Sequence, residues 1–448
     1  MTRRLFQFSK PDDIKLHDIY GVSWDKTEST TLTRTDAAVG MVANVGIDGA
    51  AVVNDFDTAL PWALMTQVTD DLGNVFTLLP KIYIQKIDTV DSLTKRLSMS
   101  RFPGSYLPWC FWDFIHGREL PYALFGSFEG SLSDDGTRLE SKSGRYPLIN
   151  KNIVQMRDLA RANGQGYQQR DIHFDDVLST LLFTEFATLN LQSVMQGYTT
   201  GQFTATHLAV LTESGVNRVV LPNAQAELYR VGQSISVGTT QGGSQVFYGR
   251  SIVSIDVVDA SNKSLTFDGA AVNIAAGNLV YNSGYKTGFS SGIAASSGSI
   301  IANDGKYPCS YRGIESPWGD VFEWVDGVNI NKWQGWVCRD ASQYASNLFA
   351  SPYEQLGYVN GAADGYASAM GYDPALPFAS LPTSVEGGAY TKYYSDYYYQ
   401  TTGQRVARVG GHWVGGRHAG PSYWNLDDTS SYAYVDIGAR LARKAVSS

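Results

Sequence analysis

A chain of 448 residues is longer than one hydrophobic core usually serves, so two or three domains are expected, some inserted in others. A net charge of −8 and a pI near 5.3 leave no basic footprint for gripping a phosphate backbone, which excludes nucleic acid as the expected partner. Only 17% of residues are charged while Tyr and Gly are abundant, so the surface must be largely neutral polar and aromatic. That mixture suits a contact surface of rigid rings and adaptable small residues, and equally an irregular β-rich chain with many turns.

Residues 1–74 read as a polar, turn-rich N-terminal segment. Met1 to Leu5 lead into polar sequence without the apolar run of a signal peptide, and no stretch reaches the length of a membrane span. The expectation is synthesis in a bacterial cytoplasm, no signal peptide and no membrane span. From Phe76 the run FTLLPKIYIQK has the β-branched and aromatic residues of strands, with Pro80 marking an edge or a break. Two helices follow. The first opens near Asn150, puts Ile153, Met156 and Ala160 on one face and stops by Gly164. The second starts around Asp175, sets Val177, Leu178, Leu181, Leu182, Phe186 and Leu189 in an i, i+3, i+4 rhythm, and closes at Gly197. Residues 199–290 switch to short alternating runs such as SIVSIDV from Ser251, the pattern of a small inserted β domain. Residues 288–299 are a Gly and Ser-rich junction expected to be flexible. The remainder, 291–448, is aromatic and loop-rich, including Tyr390, Tyr393, Tyr394, Tyr397, Tyr398 and Tyr399.

The distinctive motifs lie in that last part. Residues 311–327 read YRGIESPWGDVFEWVDG; Gly410, Gly411, His412 and Trp413 follow, and Ile437-Gly438-Ala439-Arg440-Leu441 closes the pattern. The first resembles the Gly-Asn-Val-Trp-Glu-Trp signature of the formylglycine-generating-enzyme branch of the C-type lectin fold. The second pair resembles the Gly-Gly-x-Trp to Gly-x-Arg frame that ends it. The resemblance implies an α+β chain with a C-type lectin fold, in a first part at 75–198 with two helices and a second at 291–448, interrupted by the β insert. Trp318, Glu323, Trp324, Trp413, Trp424, Gly438 and Arg440 would then be scaffold.

Between those frames, residues 412–437 resemble the variable region of proteins diversified by retroelements, which include phage receptor-binding proteins of tail fibre tips. In that family adenine-directed copying varies AAY codons, which cannot reach Lys, Glu, Gln, Met or Trp, and this stretch has none of them except Trp413 and Trp424. By position in the motif the resemblance makes His412, Val414, Gly415, Arg417, His418, Ser422, Tyr423, Asn425, Asp427, Asp428, Thr429, Tyr432, Ala433, Tyr434, Val435 and Asp436 the ligand-binding candidates of a variable region at 410–441. A Gly and Ser-rich surface loop is the plain alternative. The implied function is adhesion by a phage or prophage tail-tip protein on the virion, binding a bacterial cell-surface protein or glycan, assembled with other tail proteins and, by analogy, as a homotrimer. The alternatives are a structural tail component and a formylglycine-type oxidase.

The oxidase reading meets an obstacle in the residues. Its family uses a cysteine pair soon after the Gly-Gly motif, and here no cysteine follows Cys338; Cys110, Cys309 and Cys338 form no CxxC or Cys/His array. No catalytic residue is therefore assigned. The histidines are scattered, which disfavours an iron or zinc site. Trp424-Asn425-Leu426-Asp427 displaces by one the acid that calcium-dependent sugar lectins use, and one step along a strand turns a side chain to the opposite face. Asp320, Glu323, Asp326 and Asn329 have the oxygen ligands a structural calcium takes, or are solvated acids near a turn. No other cofactor is expected.

Overall fold

A computed structural model describes residues 17–27, 32–293, 298–300, 302–386 and 393–445. Tyr390, and the part of the expected flexible junction at 294–297, lie outside them.

The sequence reads as a run of short strands between glycine turns, and strands dominate the structure. Among the described residues strand accounts for 39% against 12% helix, with three α-helices, one of them a single turn. The expectation of an α+β, lectin-type chain is corrected accordingly: this is a β-rich protein organised on a curled half-barrel sheet. The physical reason lies in the stretch after residue 310. It was expected to be loop-rich, but its Val, Tyr and Trp residues pair into a nine-stranded sheet whose central strands are buried on both faces.

That sheet runs in the order Glu354–Val359, Gln334–Val337, Phe322–Asn331, Gln404–Gly410, Gly420–Leu426, Tyr397–Gln400, Gly365–Met370 and Pro382–Glu386. The short strand Ile437–Gly438 adds in parallel beside Phe322 and Glu323. A second sheet takes in the late strand Leu441–Lys444, which pairs with both Tyr122–Gly126 and Tyr167–Gln169. The expected boundary at residue 74 falls inside that sheet, where Gln67–Thr69 pairs with Val75–Pro80. Tyr20–Asp25 likewise pairs with Ser92–Ser98, so the N-terminal segment is built into the body.

Both anticipated helices form, with shifted ends. The first is Ile153–Arg161. Asn152, two residues after the expected opening at Asn150, caps it in a reciprocal box with Gln155. The second is Ile172–Phe186, capped by the Asp171 carboxylate accepting from the backbone of His173 and Phe174. It ends at Ala187 in the left-handed conformation, ten residues before Gly197. All its residues except Ser179 are buried, polar ones included, so the helix is enclosed on every side and has no solvent face. Its buried charges are matched: Asp176 by Lys86 at 2.8 Å, and Glu185 by Arg312 at 2.7 Å.

The insert has its own core, in which Val219, Leu221, Tyr229, Ile235, Phe267 and Val280 pack between curled strands. It also docks on the body. Phe203 meets Trp413 and Tyr434 edge-on, Gly201 N donates to Trp413 O at 2.5 Å, and the turn at Gly242 lies against the Tyr434 ring.

Candidate functional site

The motif residues form a buried ionic frame. The guanidinium of Arg440, fully buried, donates to Glu323 Oε1 at 2.7 Å and to the carbonyls of Gly126, Glu315 and Ser316 at 3.1, 2.9 and 2.8 Å. The other oxygen of Glu323 accepts from Arg170 at 2.8 Å. Trp324 Nε1 donates to Lys151 O and Trp318 Nε1 to Met195 O. Trp318, Glu323, Trp324, Trp413, Trp424, Gly438 and Arg440 are all buried.

This frame also accounts for the acids considered for calcium. Asp326 takes both ends of the Arg157 guanidinium and a bond from Gln169 at 2.7 Å. Glu323 lies between two arginines, and the Asn329 amide donates to the carbonyls of Ala345 and Leu348. Asp320 accepts from Tyr285 N at 2.8 Å; burial and the neighbouring carboxylates of Glu129 and Glu315 favour a shared proton in this group. Protein cations and donors thus fill the oxygen sites that a hard cation would take, and among the described residues no group of three or more His, Cys, Asp or Glu side chains is placed to hold a metal. Cys110, Cys309 and Cys338 are buried and free.

The chain reaches the candidate surface through Gly410 and Gly411, both in the left-handed region at φ +91° and +82°. A Cβ on Gly411 would sit 2.7 Å from Ala419 Cα, so the tight crossing of the two strands requires glycine. Beyond it the sixteen candidates separate. Arg417, His418, Thr429 and Tyr432 are exposed; His412, Val414, Gly415, Asp427, Ala433 and Tyr434 are half-buried. Ser422, Tyr423, Asn425, Asp428, Val435 and Asp436 are buried, at 1–8% exposure. For those six the expectation of water-facing side chains is corrected. Ser422, Tyr423 and Asn425 lie on strand Gly420–Leu426, in the middle of the sheet with a neighbouring strand on each side and buried on both faces; Val435 packs in a cluster with Tyr198 and Trp413, and Asp428 and Asp436 sit beside Arg408.

What the fold brings together is a chain of ten rings. Contact passes from Tyr366 to His418, Tyr397, Tyr423, Phe322, His412, Trp413, Phe203, Tyr434 and Tyr432, with successive centroids 4.3 to 6.4 Å apart. Such spacings fall in the range where aromatic pairs attract beyond their buried area. Beneath the rings one cation serves three acids. Arg408 lies over the Phe322 ring at 4.1 Å, with Nε 2.8 Å from Asp428 and its other nitrogens 3.7 and 3.8 Å from Asp427 and Asp436. His412 Nδ1 is 3.2 Å from Asp436. Burial, opposed by Arg408 and reinforced by Asp427 and Asp436, pushes the Asp428 carboxyl up to about 7. Burial lowers His412 and His418, so both rings are neutral at pH 7.

Arg408, Phe322, Tyr366, Tyr397 and Phe203 were not anticipated as part of this region. Arg408 sits two residues before the Gly-Gly motif, but its role depends on pairing across strands, and Phe203 arrives from the insert, so neither carried a local signal. No protein-family model matches the sequence, and no curated protein matches it. No helix among the described residues is long and apolar enough to cross a membrane.

Proposed function

We propose that this protein is a receptor-binding adhesin that displays a changeable contact surface on a rigid β-rich frame, carried at the tail tip of a phage or prophage virion. The reading rests on the resemblance of residues 410–441 to retroelement-diversified variable regions. Its main physical support is the layering of the site: Arg417, His418, Thr429 and Tyr432 are exposed, with His418 stacked on Tyr397 and Tyr432 on Tyr434, above a buried layer that includes Phe322, Trp413 and Arg408. Rigid aromatics with few conformations, flanked by adaptable polar residues, suit recognition without chemistry. The six buried candidates fall outside the displayed set, which narrows it to ten positions. The target is a protein or glycan of the bacterial surface, the other partners are tail proteins, and assembly is as a homotrimer, which would multiply weak contacts.

The test replaces Arg417, His418, Thr429 and Tyr432 together by Ala. Host-cell binding, read by labelled-protein adsorption, is expected to be lost, while each change shifts stability by no more than about 0.5 kcal/mol. Full adsorption by the quadruple variant would sink the adhesin reading and favour a structural tail component. Sequencing the coding region across one phage population gives a second check, with variation expected at the ten exposed and half-buried codons.

A further inference from the structure

The hairpin of Trp112–Asp113 and Arg118–Glu119 ends in a turn that holds two large apolar side chains out of the core, Phe114 at 37% and Ile115 at 70% exposure. The turn is firmly set. Phe114 stacks on Trp109 at 5.4 Å, and the Asp113 carboxylate accepts from the backbone of Ile115 and His116 at 3.0 and 3.2 Å. It borders a cavity of about 470 Å³, inside the range of roughly 300 to 1,000 Å³ in which small-molecule sites usually fall. Trp112, Phe114, Ile115, Leu120 and Tyr167 give that cavity apolar and aromatic walls.

The polar groups of the lining divide into engaged and open ones. Both carboxylates are engaged: Asp340 accepts from the backbone and hydroxyl of Ser342 and from Gln343 Nε2, and Asp113 also faces His116 Nδ1 at 2.7 Å. The cations are not matched in this way. Arg161, the last residue of the helix Ile153–Arg161, forms no ion pair among the described residues; its Nη2 donates to the carbonyls of Ala341 and Tyr344 at 2.9 and 3.3 Å, while Nε and Nη1 have no partner and are not sealed from solvent. Lys444 uses one of its three donors on Trp109 O at 3.0 Å and lies over the Phe114 ring at 5.0 Å, also without an ion pair, and burial lowers its pKa. Gln168 is only 4% exposed and is tied through Nε2 to Asp171, yet its Oε1 accepts no bond and is not sealed. Because the residue is otherwise enclosed, that oxygen opens into the cavity it lines.

Apolar walls beside two cations without carboxylate partners call for a ligand with a flat apolar body and one negative charge. The walls suit a sugar poorly, since stripping many hydroxyls of water against them is costly. We propose that this cavity binds a small aromatic carboxylate bearing a hydroxyl, with the ring against the Trp112 and Ile115 wall, the carboxylate on Arg161 and Lys444, and the hydroxyl donating to Gln168 Oε1. None of these residues belongs to the candidate variable set, so the site stands apart from the display surface and does not rest on the adhesin reading.

The test is ligand-observed NMR on the full chain with 4-hydroxyphenylacetate, its neutral amide 4-hydroxyphenylacetamide, and phenylacetate. The hydroxylated acid is expected to bind about tenfold more tightly than the amide and severalfold more tightly than phenylacetate. Arg161→Gln should bring the acid down to the affinity of the amide. Since Arg161 also ties two carbonyls, Ile115→Asp supplies a second arm: on a side chain facing solvent it should leave the melting temperature unchanged, and a carboxylate at the rim should weaken the acid more than the amide. No binding of 4-hydroxyphenylacetate by the unaltered protein overturns the proposal, as does equal binding of acid and amide, equal binding of the two acids, or undiminished acid binding by Ile115→Asp.

Discussion

Strand Phe322–Asn331 and the stretch after Gly410 lie in one sheet but solve the problem of buried charge differently. Around Glu323 the acids and guanidiniums are nearly matched: Glu323 serves Arg440 and Arg170, Asp326 serves Arg157, and the remaining Arg440 donors reach carbonyls. Around Arg408 one guanidinium faces three carboxylates, two of them at long range. The first arrangement fixes geometry. The second leaves residual negative charge just under a surface, where a change in one acid can be absorbed by the other two. A closely paired set of buried charges and an uneven one therefore adjoin within one sheet.

The sharpest way to break the contrast is at the frame. Arg440→Leu removes a buried cation, unbalances Glu323 and orphans three carbonyls, and is expected to cost about 3–5 kcal/mol, read as the shift in a denaturant unfolding midpoint. A loss below about 1 kcal/mol would mean that the frame is not rigidly coupled. Next is the hinge between the regions. Gly411→Ala must place a Cβ against Ala419 Cα at a positive φ, with an expected loss of about 1–3 kcal/mol by thermal unfolding. The smallest effect concerns pH. In the folded protein the Asp428 carboxyl titrates near 7, above its ordinary value, so its contribution is fully present below the ordinary carboxylate pKa and is lost as pH rises through about 7. Asp428→Asn should gain progressively on wild type as pH rises from about 4 to about 8, the gain levelling off above about 7. Parallel stability curves for the two proteins across that window would remove Arg408 and its acids from the account.

Much of the local structure was legible in the residues. The helix at Ile172–Phe186 announced itself because its apolar positions recur with a helical period, and Asn152 with Gln155 is a local capping pattern. The class of the protein was not, because strand partners are set by residues far apart in sequence: Gln404–Gly410 finds Phe322–Asn331, and Leu441–Lys444 finds Tyr122–Gly126. The same limit governs the site. Gly410, Gly411 and the exposed Arg417, His418, Thr429 and Tyr432 could be placed by motif position, whereas the burial of Ser422, Tyr423 and Asn425 follows from strand neighbours that no local pattern names. Asp428 and Asp436 are buried beside Arg408, a partner from another strand that no local pattern names.

The docking of Phe203 between Trp413 and Tyr434 changes what the inserted β unit is for. A module that merely hung from two loops could be cut out and the ends rejoined. This one props the back of the contact face, so its excision would expose Trp413 to water and let the far edge of that face sag.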